Sequence, residues 1–275
     1  FADPGSDLDF FTVHRGDRIV GRITAHVHAA SNRLHGTNDA AFGYFDVADD
    51  ADAAKALLDR AEDWARARGH ATIAGNFNLT AMQQIGVLTD GFDHPPHTDQ
   101  IWSPPHVARL LTENGYVAEF GMATALVDLA APAPAVDAGE VARILSDPDF
   151  RLIPVTRRNL AARMEDARTI LNLSFARNPM FVPVSRDEFH FQARDMKWIM
   201  DPRLSMVLHW QGRPGAAVIV IPDVNPLLRA IRSRLGVTAP FHVLRHRLTN
   251  RRAVLIYAGV IPELQGRGVA PFLLS

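Results

Sequence analysis

The sequence predicts an α/β (α+β) protein built as two successive sheet domains. Three observations carry that expectation. Short runs rich in β-branched and aromatic residues alternate with longer runs of helical period. A hairpin leading to an apolar strand and then directly to a helix occurs in each half, which points to tandem duplication. Between the halves, AAPAPAVDAG at 130–139 has no apolar period and reads as a linker. The expected division is therefore 1–129, a linker over 130–139, and 140–275.

In the first half, 10–13 and 19–28 read as strands joined by a turn at Arg15-Gly16-Asp17. A third strand is expected over 41–47. Asp49 and Asp50 precede a helical run at 51–68, where Leu57, Leu58, Ala61, Trp64 and Ala65 form one apolar face and Gly69 is a stop. A short strand over 71–75, a helix over 106–114 and an extended stretch over 116–129 complete this half. The second half predicts strands over 151–155, 203–210, 216–221 and 252–260, with a turn at Gly212-Arg213-Pro214. Helices are expected over 160–176, over 187–199 and from Gly266 onward. The chain opens inside a strand pattern and stops a few residues into a helix. Both domains are therefore expected to lack a part, with some of the chemistry beyond Ser275.

Composition narrows the function classes. Hydrophobic residues make up 47% and charged residues 21% of 275, which excludes wholesale disorder. The net charge of −1 gives no bulk attraction to polyanions. The absence of cysteine excludes disulfides, thiolate nucleophiles and cysteine-ligated metals. No apolar run reaches the roughly 18 residues of a membrane span, and the opening residues lack a signal-peptide pattern. A cytoplasmic protein is expected, and the Ala- and Arg-rich usage fits a GC-rich bacterial genome. His26 and His28 share a strand face and His94 and His97 flank two prolines, but no third ligand is spaced to make a metal site, so none is expected. No Gly-x-Ser-x-Gly elbow occurs.

The most informative stretch is A-G-V-I-P-E-L-Q-G-R-G-V-A at 258–270. An apolar strand runs into a loop with two glycines that opens a helix. Such a loop turns backbone N–H groups outward and suits a phosphate. Pro271 stands where a dinucleotide fingerprint needs glycine, and no Gly-Lys-Ser/Thr follows for a P-loop.

This stretch resembles the acyl-CoA pyrophosphate loop of GNAT-type acyltransferases, Gln/Arg-x-x-Gly-x-Gly/Ala, through Gln265, Gly268 and Ala270. The resemblance implies two tandem GNAT-like domains, each a mixed central sheet flanked by helices. Acyl-CoA would be co-substrate, held by Gly259, Val260, Ile261, Gln265, Gly266, Arg267, Gly268, Val269 and Ala270. Further phrases resemble a bacterial tandem-domain group that includes ceramide synthases and YghO-type proteins: G-N-F-N at 75–78, D-G-F-D at 90–93, N-L-S-F-A-R-N-P-M-F-V-P at 172–183, D-E-F at 187–189 and I-P-D-V-N at 221–225. The first half has Asp46, Asp49, Asp50 and Asp52 where its phosphate loop would lie, and carboxylates repel a pyrophosphate. That implies a degenerate first domain.

Catalytic candidates are Asp223, at a strand end, Glu188, opening a helix, and Tyr257, on the central strand. Each has a structural alternative, as turn or helix cap for the two acids and as core for the tyrosine. Asn76, Asn78, Asn178 and Phe181 are candidates for contacts with the acceptor. Positions 224–261 carry no Asp or Glu but hold Arg229, Arg232, Arg234, Arg245, Arg247, Arg251 and Arg252, with Leu227, Leu228, Ile231 and Leu235 on one helical face. Phe241, Val243, Leu244 and Leu248 add apolar mass. A peripheral contact of 226–252 with an anionic inner-membrane surface is one reading, a packed solvated helix the other. Nucleic acid is not an expected partner. The favoured function is transfer of a fatty acyl group from acyl-CoA to a sphingoid amine, as in bacterial ceramide synthesis within sphingolipid metabolism. The alternatives are acetylation of a small amine or protein and a non-catalytic acyl-CoA or lipid-binding scaffold.

Overall fold

A computed structural model describes residues 5–80, 82–98, 100–130, 137–193, 200–234 and 236–274, without the side chains of 192, 193 and 202. The described residues are mixed α/β, with two four-stranded sheets flanked by helices. They cluster into two units, one of 1–124 with Pro179–Val182, the other of 125–178 with 183–275.

In the first unit, β1 (Asp7–Arg15) and β2 (Arg18–Val27) form an antiparallel hairpin. Gly16 makes the turn at φ +57°, a conformation glycine adopts without steric cost. The run after β2 was expected to stay extended to His28. Instead His28 Nδ1 accepts the Ser31 amide at 3.2 Å and caps α1 (Ala29–His35), which Gly36 ends in the left-handed region. Next come β3 (Asp39–Val47), α2 (Ala51–Ala67) and β4 (Thr72–Ala74), which pairs parallel to β3, so the sheet is mixed in the order β1-β2-β3-β4. Leu57, Leu58, Ala61, Trp64 and Ala65 are all buried, in a core with Ile23, Phe42, Val47 and, from α3 (Pro105–Glu113), Val107 and Leu110. Each fully buried leucine contributes about 2 kcal/mol. Trp64 Nε1 donates to Asp9 Oδ2 at 2.6 Å, tying α2 to β1.

The extended stretch expected over 116–129 is no strand. Residues 117–128 pair with nothing described, and Val117, Leu126 and Leu129 are exposed. Apolar content favours extension, but a strand also needs a partner for its N–H and C=O groups.

In the second unit, Asp137 caps α4 (Ala138–Ser146) by accepting the Gly139 amide at 2.8 Å, so the last residues of the expected linker open a helix. Residues 131–136 lie outside the described set. The four strands β5 (Phe150–Pro154), β6 (Met206–Trp210), β7 (Arg213–Pro222) and β8 (Ala253–Val260) stand in chain order and are antiparallel throughout. Their β6–β7 turn is Gln211-Gly212, both at positive φ, one residue earlier than expected. The helix α5 (Leu160–Ser174) buries Met164, Ala167, Ile170 and Leu171. Next, α6 spans Arg186–Ala193, and the expected continuation over 194–199 lies outside the described residues. The basic segment forms α7 (Asn225–Ala230) and α8 (Ala239–Thr249). Positive φ at Arg232 and Ser233 breaks the single helix expected through Leu235, itself outside the described residues. The final helix, α9, is Val269–Leu274.

Candidate functional site

At the end of β8, Ile261 N donates to Gly215 O at 2.9 Å, holding the chain against β7. Amides alternate sides along a strand, so the Val260 amide faces the other edge, where no described strand pairs. One 3-10 turn, Pro262–Leu264, follows, with Ile261 and Leu264 fully buried as its anchors. Gln265 Nε2 donates to Val260 O at 3.0 Å. This side chain closes the turn on itself at the margin of the cavity described next.

Gly266 and Gly268 take φ of +74° and +75°, a conformation that costs about 1–2 kcal/mol with a side chain. Phe272 N donates to Gly268 O at 3.1 Å, which makes Gly268 the first flanking residue of α9. The amides of Gly268, Val269 and Ala270 are then the orphan donors of a helix start, and Pro271 has none to leave orphaned. A cavity of about 370 Å³ lies here, lined by Val260, Leu264, Gln265, Gly266, Gly268 to Pro271, and Glu140. Arg143 Nη2 donates to Arg267 O at 2.7 Å and ties α4 to the loop. The guanidinium groups of Arg267 and Arg213 stand over Trp210, at 5.9 and 5.1 Å. Amides of a helix start at a cavity, beside a strand edge that no described strand pairs, suit an elongated ligand with a phosphate at one end. Glu140 opposes that fit with one negative charge; neither it nor Arg143, Trp210 and Arg213 beside the loop stands out in the sequence.

Tyr257 and Gly259 share one face of β8. A side chain at 259 would strike the Tyr257 hydroxyl and come within 2.9 Å of Ser174 Oγ, so Gly259 makes room for the phenol. Burial pushes the Tyr257 phenol up, against a smaller opposing effect of the Ser174 hydroxyl. Ser174 Oγ donates to Ile170 O at 2.6 Å.

Within the second unit, Asp223 is not brought to this place. Asp223 is buried, accepts the Asn225 amide at 3.1 Å and lies 3.4 Å from Arg252 Nε. Pro222 faces Ala253 and Ala216 faces Val260, so Asp223 sits at the far end of β8, about 24 Å along the strand from the loop. Glu188 forms a capping box: its Oε2 accepts Ser185 N at 3.0 Å and Ser185 Oγ accepts Glu188 N at 3.2 Å. Asn78 and Asn76 brace a bulge in β3, where Tyr44 and Phe45 oppose Ile23 alone. Asn78 Oδ1 accepts Tyr44 N at 2.6 Å and Asn76 Oδ1 accepts Phe45 N at 3.3 Å. Asn178 is exposed after α5, and Phe181 is buried in the segment that clusters with the first unit.

The junction from β3 to α2 differs from the one after β8. It is short, and Asp50 fills the helix start by accepting Ala53 N at 3.0 Å. Arg15 grips Asp50 at 2.9 Å and holds its carboxyl down at about 2. The acids expected to repel phosphate are each paired: Asp50 and Asp52 with Arg15, Asp46 with Arg22, Asp49 with Arg109. This helix start thus carries its own side-chain cap, and each acid beside it has an arginine partner. Among the described residues, no group of His, Asp and Glu is arranged to hold a metal, and no helix is long and apolar enough to cross a membrane.

No protein-family model matches the chain. One solved structure, a tandem GNAT protein from the clavulanic acid biosynthesis pathway, aligns over 100% of this chain and 70% of its own, at 16% identity and a TM-score of 0.44. The bacterial ceramide synthase of Caulobacter vibrioides (strain NA1000 / CB15N) is 28% identical over 232 residues, 84% of this chain and 60% of that protein. Protein YghO of Escherichia coli (strain K12) is 27% identical over 248 residues, 87% of this chain and 61% of that protein. The chain thus spans about three fifths of the length of these curated relatives. Over most of its own length the sequence is similar to a bacterial ceramide synthase and to YghO, the proteins that its own phrases resemble.

Proposed function

We propose that this chain is the acyl-donor-binding part of an acyl-CoA-dependent N-acyltransferase acting on a long-chain amine. The observation that carries the reading is the loop after β8, where two left-handed glycines lead into a helix start beside a cavity and a strand edge that no described strand pairs. Gly266, Gly268, Val269 and Ala270 would present amides to the pyrophosphate, and Val260 its amide to the pantetheine or the thioester oxygen. Ile261 and Leu264, fully buried, keep this backbone rigid. Arg267, over Trp210, supplies positive charge beside the loop, while Arg213 is paired with Glu263 at 4.0 Å.

In the reaction a neutral amine attacks the thioester carbonyl, a C–N bond forms, and the C–S bond breaks as the thiolate leaves. The ammonium proton passes to a base or a water chain, and the thiolate takes up a proton. Tyr257, its phenol held protonated by burial, acts as a hydrogen-bond donor, not as the base. The first unit, its helix start filled by Asp50, is read as a degenerate partner fold without an acyl-CoA site. A sphingoid amine as acceptor is supported by similarity to the ceramide synthase.

The test is CoA release from the purified protein with acetyl-CoA or palmitoyl-CoA, with and without a sphingoid base. Release with palmitoyl-CoA and the lipid amine together is expected. Parallel arms with a small amine and a CoA titration complete the test: release with acetyl-CoA and the small amine, or tight CoA binding without turnover, would replace the reading with an acetyltransferase or a scaffold.

A further inference from the structure

The helix α8 carries two apolar faces. Successive residues turn by about 100°, which sets Ala239, Val243 and His246 on one side, and these are buried or half-buried. Phe241, Leu244 and Leu248 fall on the opposite side at spacings of three and four. They are 66%, 58% and 76% exposed. The same rotation places Arg245 along one margin of that stripe and Arg247 along the other, both exposed. Arg229, Arg232, Arg234 and Arg251 are exposed on the neighbouring turns, as are Leu228 and Val237. No carboxylate occurs anywhere over 224–261. Core packing accounts for the inner face and leaves the outer stripe unexplained, since a solvated helix would place polar residues there.

From this arrangement we infer that the outer stripe of α8 docks on an anionic phospholipid bilayer, in the plane of the interface. Phe241, Leu244 and Leu248 enter the boundary between headgroups and acyl chains, and the arginines on both margins meet lipid phosphates. The charge pattern selects the partner. A protein–protein face is depleted of charge at its centre but not swept clear of one sign over so long a segment. A nucleic-acid surface has no use for the apolar stripe. The inference is independent of the acyl-CoA reading.

The experiment is co-sedimentation of the whole chain with phosphatidylcholine vesicles, with and without phosphatidylglycerol, at low and high salt. Binding only to the anionic vesicles, weakened by salt, is expected. Arg245→Gln with Arg247→Gln should lower the partition about fivefold per arginine. Phe241→Ser with Leu244→Ser and Leu248→Ser should lower it more than tenfold, with the circular dichroism unchanged because these side chains are exposed. A Phe241→Trp variant reports on the stripe directly: brominated anionic lipid should quench it beyond the quenching of the unsubstituted chain, whose four tryptophans set the baseline. Equal binding to neutral vesicles, binding indifferent to the stripe, or no quenching at 241 would overturn the proposal. So would a stripe-dependent dimer in light scattering without vesicle binding, which would assign the face to a second copy. Capture of RNA that depends on the arginines alone would likewise overturn it.

Discussion

Glu140 turns its carboxylate onto the Cα of Gly268, so that any side chain at 268 would strike it. The contact brings the first turn of α4 onto the backbone proposed to hold pyrophosphate. Arg143, one turn further on, ties the same helix to the Arg267 carbonyl. One negative charge is therefore parked at a place suited to another.

Removing that charge should tighten CoA binding. Glu140→Gln is expected to lower the Kd for CoA about fivefold, near 1 kcal/mol for a charge pair at the surface, with the gain shrinking at high salt. Isothermal titration at two ionic strengths measures it. Gly268→Asp should act the other way, weakening CoA more than tenfold through added charge and a left-handed backbone. An unchanged affinity in a folded Gly268→Asp protein would remove the loop from the site.

Tyr257→Phe separates catalysis from packing. It removes one hydroxyl and keeps the ring against Phe175, 6.2 Å away. If the phenol serves the transition state, kcat should fall about 100-fold with KM for acyl-CoA little changed. A kcat that does not move would assign Tyr257 to the core.

Asn78→Ala tests the bulge in β3. It strips the half-buried Tyr44 amide of its acceptor, which should cost about 1 kcal/mol in urea unfolding. Gly43→Ala should cost more, because a Cβ there would meet the Phe77 carbonyl. Neither change should alter CoA affinity.

His26 sets a pH dependence. It is buried in β2, and loss of hydration, with a lesser effect of His28, lowers its pKa to about 4. The unfolded chain takes up the proton below about pH 6.5. Between those values protons favour the unfolded state, so this stability is present above about pH 6.5 and is lost as pH falls toward 4, to a total of about 3 kcal/mol. His26→Gln should flatten that slope in the first unit, and the His26 ring resonance should titrate near 4 by NMR.

Most elements were legible because their signals are local. The apolar face of α2 repeats within a few turns, Gly16 demands its turn, and the strand before Gln265 is continuous apolar sequence ending in glycines. The failures share one cause. The stretch at 116–129 has strand-like composition but no partner, and α1 is capped by a histidine that read as the end of β2. The partners of Asn76 and Asn78 were not legible either, because the amides they satisfy lie on β3, far off in sequence.

By itself the sequence determined the two sheet units, the glycine-rich loop after β8 and the acid-free arginine segment, since each is written in contiguous residues. Only the tertiary structure decided that Glu140 faces Gly268, that Asp50 fills the first unit's helix start under Arg15, and that Asp223 stands a strand's length from the loop. These are relations between side chains brought together by strand register and helix packing. Register is fixed by burial summed over whole faces, which no short window of sequence contains.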